Sequence, residues 1–109
     1  MKEEHTAQDI ARINDKLRAG IPMMPRPHRV LMTCGVADLG EIKVAELLTK
    51  VANFSEFNSD NDPYFEHDMG WITMDGQKYM WKFDYFDDSF EYFQKNGNRV
   101  LTVMRTDEY

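Results

Sequence analysis

The dipeptide Asp75-Gly76 constrains this chain more than any other feature. It is the preferred pair for a two-residue type I′ turn, and it stands between two runs with strand character, Met69–Met74 and Gln77–Phe86. A loop of only these two residues fixes the register of the hairpin. Met74 then faces Gln77, Ile72 faces Tyr79 and Gly70 faces Trp81. That face continues through Phe83 and is strongly apolar, so it is expected to meet helices, with Gly70 leaving room for the Trp81 ring. The other face pairs Trp71 with Met80, Thr73 with Lys78 and Met69 with Lys82. Its mixed character suits solvent or a partner. The same register sets His67 across from Asp84.

The remaining elements follow from periodicity and caps. Residues 6–19 read as a helix: Thr6 is an N-cap with Asp9 in the reciprocal position, Ile10, Ile13 and Leu17 share a face, and Gly20 and Pro22 end it. The proline-rich stretch 21–27 is a linker, and His28–Cys34 reads as a short strand. A second helix is expected with Asp38 as its cap, carrying the apolar stripe Val44, Leu47, Leu48, Val51 and Phe54. Asn96-Gly97 marks a turn before a last strand, Arg99–Thr106. The expectation is a single α+β domain over residues 1–109, with residues 1–5 disordered. Two helices pack on one face of an antiparallel β-meander of about four strands.

Charge is unevenly placed. The net charge is −6, yet residues 54–91 hold ten Asp/Glu against two Lys, a balance of −8. Such a block repels nucleic acid and attracts basic protein surfaces or cations. With 42% apolar residues the chain has ample material for a core. The lone cysteine, Cys34, cannot form an internal disulfide, and no apolar run is long enough to span a membrane. The N-terminus lacks an apolar signal core, so a cytoplasmic protein is expected.

Three constellations could carry chemistry. The stretch 60–68, DNDPYFEHD, offers Asp60, Asp62, Glu66, His67 and Asp68. It lacks the glycine of an EF-hand loop and carries a proline inside the window, so it matches hard-cation sites poorly, whereas Asn61-Asp62-Pro63 is strong turn chemistry. His67 opposite Asp84 could act in acid–base catalysis, but no nucleophile motif accompanies it. Cys34 would need an activating neighbour to be more than a small core residue. No cofactor is expected, and the balance leans against an enzyme.

The aromatic run Tyr79–Phe93 is interleaved with Asp84, Asp87, Asp88 and Glu91 rather than with Lys and Arg. Single-strand binders surround such rings with cations, so direct nucleic-acid binding is not expected. Rings among carboxylates fit a surface that receives arginine-rich partners.

The segments NDPYFEHDMG, MWKFDYFD and RVLTVMRTDEY, with IARINDKLR and VLMTCGVADL before them, resemble a bacterial family, domain of unknown function 3768. The resemblance implies a small protein of plasmids and other mobile elements. That setting is rich in antirestriction and anti-CRISPR proteins. The leading expectation is therefore a small acidic inhibitor that mimics DNA charge and occupies a basic, nucleic-acid-binding surface of a host defence complex. Its expected contacts are Asp60, Asp62, Glu66, Asp84, Asp87, Asp88 and Glu91, with Tyr85 as an aromatic anchor. The alternative is a metal-binding protein or hydrolase centred on Glu66, His67 and Asp68 with Asp84. A homodimer through the Trp71/Met80 sheet face is a third option.

Overall fold

The computed structural model describes residues 6–109. Residues 1–5, read from sequence as disordered, lie outside the described residues. Helix α1 (Ala7–Ala19) starts where Thr6 accepts a hydrogen bond from the Asp9 amide at 3.1 Å. Strand β1 is Arg29–Met32, followed by a one-turn helix α2 (Cys34–Ala37) and by α3 (Glu41–Ala52). Strands β2 (Met69–Met74), β3 (Gln77–Phe86) and β4 (Asn98–Arg105) complete the sheet, and a 3-10 turn (Thr106–Glu108) ends the chain.

The architecture is α+β, with a four-stranded sheet in the order β1-β4-β3-β2. The hairpin register is the one read from Asp75-Gly76: Met74 pairs with Gln77, Ile72 with Tyr79 and Gly70 with Trp81. Strand β4 pairs antiparallel with β3, giving a three-stranded meander. Strand β1 joins differently, running parallel to β4 with Arg29 beside Val100. The sheet is therefore mixed. Helical connections leave β1 and the hairpin intervenes before β4, and a parallel pair requires a crossover of this kind.

Two local expectations change. The segment expected as a strand to Cys34 stops at Met32, because Thr33–Ala37 turns into α2. Asp38 ends α2 instead of starting the next helix, and Gly40 is the residue before α3, with φ 89°. That left-handed angle suits glycine, which has no Cβ to clash.

The core lies between α1, α3 and the predicted hairpin face. Trp81, Leu47, Val51, Leu101 and Val103 are fully buried, with Met74, Tyr79 and Phe83 beside them. The Trp81 ring meets Phe54 and Phe83 edge to face at 5.5 and 6.0 Å. Gly70 leaves the space this needs: a Cβ there would lie 2.7 Å from Phe54 Cζ and from Trp81 Nε1.

Candidate functional site

Two loops lie at one end of the sheet, where β2 begins, β3 ends and β4 begins. They are residues 53–68 and 87–97, and they hold most of the acidic block.

The first loop is built on its own amides. Asn58 Oδ1 accepts from the Asp60 and Asn61 amides, and the buried Asn61 returns bonds to Asn58 N and Glu56 O, each at 3.0 Å. Asp62 Oδ1 accepts from His67 N at 2.9 Å. Phe65 and His67 adopt φ of 61° and 55°. Left-handed backbone at such residues costs energy and persists only where surroundings impose it. Here the surroundings are a stack of the His67 ring on Phe57 at 3.9 Å and the bonds of His67 to Asp15 and Asp62.

This twist corrects the expected His67–Asp84 contact. The ladder continues only as far as Phe83 N to Asp68 O, and His67 then turns away from β3. Its Nδ1 faces Asp15 of α1 at 3.0 Å, and its Nε2 lies 3.4 Å from Asp62. Asp84 instead pairs with Lys82. The two carboxylates sit on opposite ring nitrogens and so do not converge. Among the described residues no group of three His, Cys, Asp or Glu side chains is arranged to hold a metal ion. Asp68 is half-buried, and burial, then the Glu66 and Asp62 charges, push its carboxyl up from the ordinary range.

A second buried network ties this loop to the other. Asn14 of α1, fully buried, donates to Glu66 O at 3.0 Å and to the Tyr85 hydroxyl at 2.8 Å. Arg99 Nε donates to Asn14 Oδ1 at 3.0 Å, Arg99 Nη1 to Gly97 O at 2.9 Å, and its guanidinium lies 5.0 Å from the Tyr85 ring centre. Burial raises the Tyr85 phenol and lowers the Arg99 guanidinium from their ordinary values. Arg18 plays a similar part beside it. It donates to Val51 O and Phe54 O, closing the end of α3, and lies over Trp81 at 4.8 Å.

The second loop is organised by Asp87. Its Oδ1 accepts from Ser89 Oγ at 2.7 Å, from Ser89 N at 3.1 Å and from Glu91 N at 3.3 Å. The Ser89 hydroxyl bond, then the amides, hold the Asp87 carboxyl below the ordinary range. Phe93 meets the Tyr85 ring edge to face at 6.5 Å.

The expected contact residues therefore divide. Asp60, Asp88 and Glu91 are exposed, and Glu66 and Asp84 are partly so. Asp62 is 4% exposed and bound to His67, so its carboxylate does not reach the surface. Tyr85 is half-buried with its hydroxyl held by Asn14, so it supports the loops rather than projecting as an anchor. Other rings do project: Tyr64, Phe65, Tyr92 and Phe93 are 74%, 71%, 69% and 72% exposed. Tyr92 and Phe93 belong to the run Tyr79–Phe93, expected from sequence to set rings among carboxylates on a surface, whereas Tyr64 and Phe65 were not singled out, although Asn-Asp-Pro before Tyr64 already signals a turn. Cys34 is exposed at the start of α2, but Glu108 already occupies that end, accepting from the Thr33 hydroxyl and from Gly35 N.

Residues 32–108 match the model of a family described as Protein of unknown function (DUF3768). The chain belongs to that family. The DUF3768 match includes both loops and the whole meander, whereas α1 precedes it. Asn14, Asp15 and Arg18, which anchor the loops, thus come from outside the matched residues. No curated protein and no solved structure matches the chain. Among the described residues no helix is long and apolar enough to cross a membrane.

Proposed function

We propose that this DUF3768 protein is a non-enzymatic binding protein that docks the loop end of its sheet onto a basic surface of another macromolecule. One observation carries this reading. Four aromatic side chains, each about 70% exposed, stand on two loops among the carboxylates of Asp60, Glu66, Asp88 and Glu91. Exposed rings of this size are costly to hydrate, and grouped together they are typical of interaction sites. Arginine side chains stack on such rings while their charge meets neighbouring carboxylates.

The partner class follows from the charge. The carboxylates of Asp60, Glu66, Asp88 and Glu91 on a folded scaffold resemble, to a cationic groove, the phosphates that groove normally binds. We favour a nucleic-acid-binding host defence complex as the partner, which makes this an anti-CRISPR or antirestriction type of inhibitor acting as a DNA mimic in the cytoplasm of a bacterium that carries mobile elements. The support is the charge pattern and the mobile-element setting that the family resemblance implies. The alternative centred on Glu66, His67, Asp68 and Asp84 draws less support, because His67 is engaged by Asp15 and Asp62 and Asp84 by Lys82.

The test is affinity capture from a bacterial host lysate at low and high salt, with the wild-type chain beside an Asp88→Lys, Glu91→Lys variant. A basic nucleic-acid-binding protein should be retained by the wild type, lost at high salt and lost with the variant. Capture that is indifferent to both changes would sink the proposal.

A further inference from the structure

Strand β2 is an edge of the sheet, and its backbone phase is fixed by the hydrogen bond from Phe83 N to Asp68 O at 2.8 Å. With the Asp75-Gly76 turn closing the hairpin, Asp68, Gly70, Ile72 and Met74 direct their backbone groups at β3. Met69, Trp71 and Thr73 direct theirs outward. No hydrogen bond to those outward groups is made among the described residues. Edge strands are commonly guarded by charge, proline or a bulge. The sequence MGWITM has none of these and pairs in unbroken register.

We propose that β2 pairs antiparallel with β2 of a second copy, joining two four-stranded sheets into one. A two-fold axis at Trp71 sets Trp71 against Trp71 and Met69 against Thr73 of the second copy. All three outward residues lie on the sheet face away from the core. Trp71 is 39% exposed there, whereas its neighbour Met80 is 5% exposed and already covered. The edge, with Trp71 beside it, is thus a better contact than a face-to-face approach through Trp71 and Met80.

Charge placement identifies the occupant as this same chain. Helix α3 and the segment after it run alongside β2 in the opposite direction: Lys43 pairs with Asp75 at 2.8 Å, Phe54 lies by Gly70, and Phe57 stacks on His67. Lys50 therefore lies toward the C-terminal half of β2 and Glu56 toward its N-terminal end. Both line a groove of about 370 Å³ beside Trp71, Ile72 and Thr73, and neither has an ion-pair partner among the described residues. Antiparallel pairing about Trp71 brings Lys50 of each copy toward Glu56 of the other. A strand of mixed sequence from another protein has no reason to offer that exchange. Apart from Glu56 at the start of the first loop, the pairing leaves both loop ends free, at opposite ends of the joined sheet, and none of the carboxylates of the function proposed above is used in it.

Sedimentation equilibrium of the purified full chain tests this. The mass should rise from 12.9 kDa toward twice that value with concentration, and the Trp71 and Thr73 amides should gain protection from hydrogen exchange as it does. Trp71→Lys sets like charges on the axis, and Thr73→Pro removes an outward donor without breaking a β2–β3 bond. Each should abolish the dimer while the circular dichroism spectrum is retained. Lys50→Glu and Glu56→Lys should each weaken association roughly tenfold, and the two combined should restore it, which a purely structural role would not produce. A single 12.9 kDa species up to ~1 mM would overturn the proposal, as would a dimer that survives both strand variants or a charge exchange without rescue.

Discussion

His67 Nδ1 lies 3.0 Å from both carboxylate oxygens of Asp15, a residue of α1 that is 52 positions earlier in the chain. The contact fastens an acidic loop to a helix, and the stack of the same ring on Phe57 fastens it to the core. His67→Ala removes both and leaves only the bond from its amide to Asp62 Oδ1 to support its left-handed backbone. Unfolding free energy should fall by about 1–3 kcal/mol in a urea titration. Amides of residues 58–67 should also exchange faster than those of β3. An unchanged urea midpoint would show that the loop holds itself.

Gly70 is fixed by space rather than by backbone angle. A Cβ there would meet Phe54 and Trp81 at 2.7 Å, and both rings are packed on further aromatics. Gly70→Ala should therefore destabilise by about 1–3 kcal/mol, the usual cost of overpacking. Thermal unfolding followed by near-ultraviolet dichroism would show it, with a changed Trp81 signal even below the transition. A neutral result would mean that the Phe54 ring can swing aside.

The hairpin and its register were legible because turn chemistry and alternation are local. Asp75-Gly76 sets the pairing, and Tyr79, Trp81 and Phe83 alternate with Lys78, Met80, Lys82 and Asp84, three of them charged. What could not be read is what depends on distant partners. The parallel pairing of β1 with β4 joins Arg29 to Val100, and no local signal marks it. His67 was placed by extending the ladder one residue too far, since nothing local announces its φ of 55°. The site was half legible. The acidic loops were found as loops, but a carboxylate that organises a turn looks the same in sequence as one that faces a partner. Asn14, an ordinary polar residue on a helix, gave no sign of joining both loops.

His28 gives the native state a pH dependence of definite sign. Its Nδ1 accepts from the Arg99 amide at 2.9 Å, which a protonated nitrogen cannot do. Burial, then the nearby Arg99 charge, lower its pKa from the ordinary 6.5. The unfolded chain thus takes up the proton more readily than the native state. This contribution is complete above the unfolded value of about 6.5 and is lost as pH falls from there toward the lowered folded value. Urea midpoints should decline from pH 7 to pH 5, and His28→Gln, whose side-chain oxygen can still accept from Arg99 N, should flatten that limb. An equal slope in both proteins would assign the loss to other groups.

Asp87, half-buried, and Asp88, exposed, are adjacent on the same loop and chemically identical, and they should respond differently to substitution. Asp87 gathers Ser89, Glu91 and Tyr92 through one oxygen, whereas among the described residues Asp88 accepts only from Asn98 Nδ2 at 3.2 Å. Asp87→Ala should speed exchange at the Ser89, Glu91 and Tyr92 amides by on the order of tenfold, because the loop loses its organising acceptor. Asp88→Ala should leave those amides unchanged. If the loop end is the docking surface, Asp88→Ala should still weaken capture of a basic partner, through charge alone and with steep salt dependence. Asp87→Ala should weaken it as well, but through disorder of Tyr92 and Phe93, and high salt should change that loss little. Matching exchange profiles in the two variants would show that Asp87 is a surface charge like its neighbour and that the loop is held from Tyr85 and Arg99 instead.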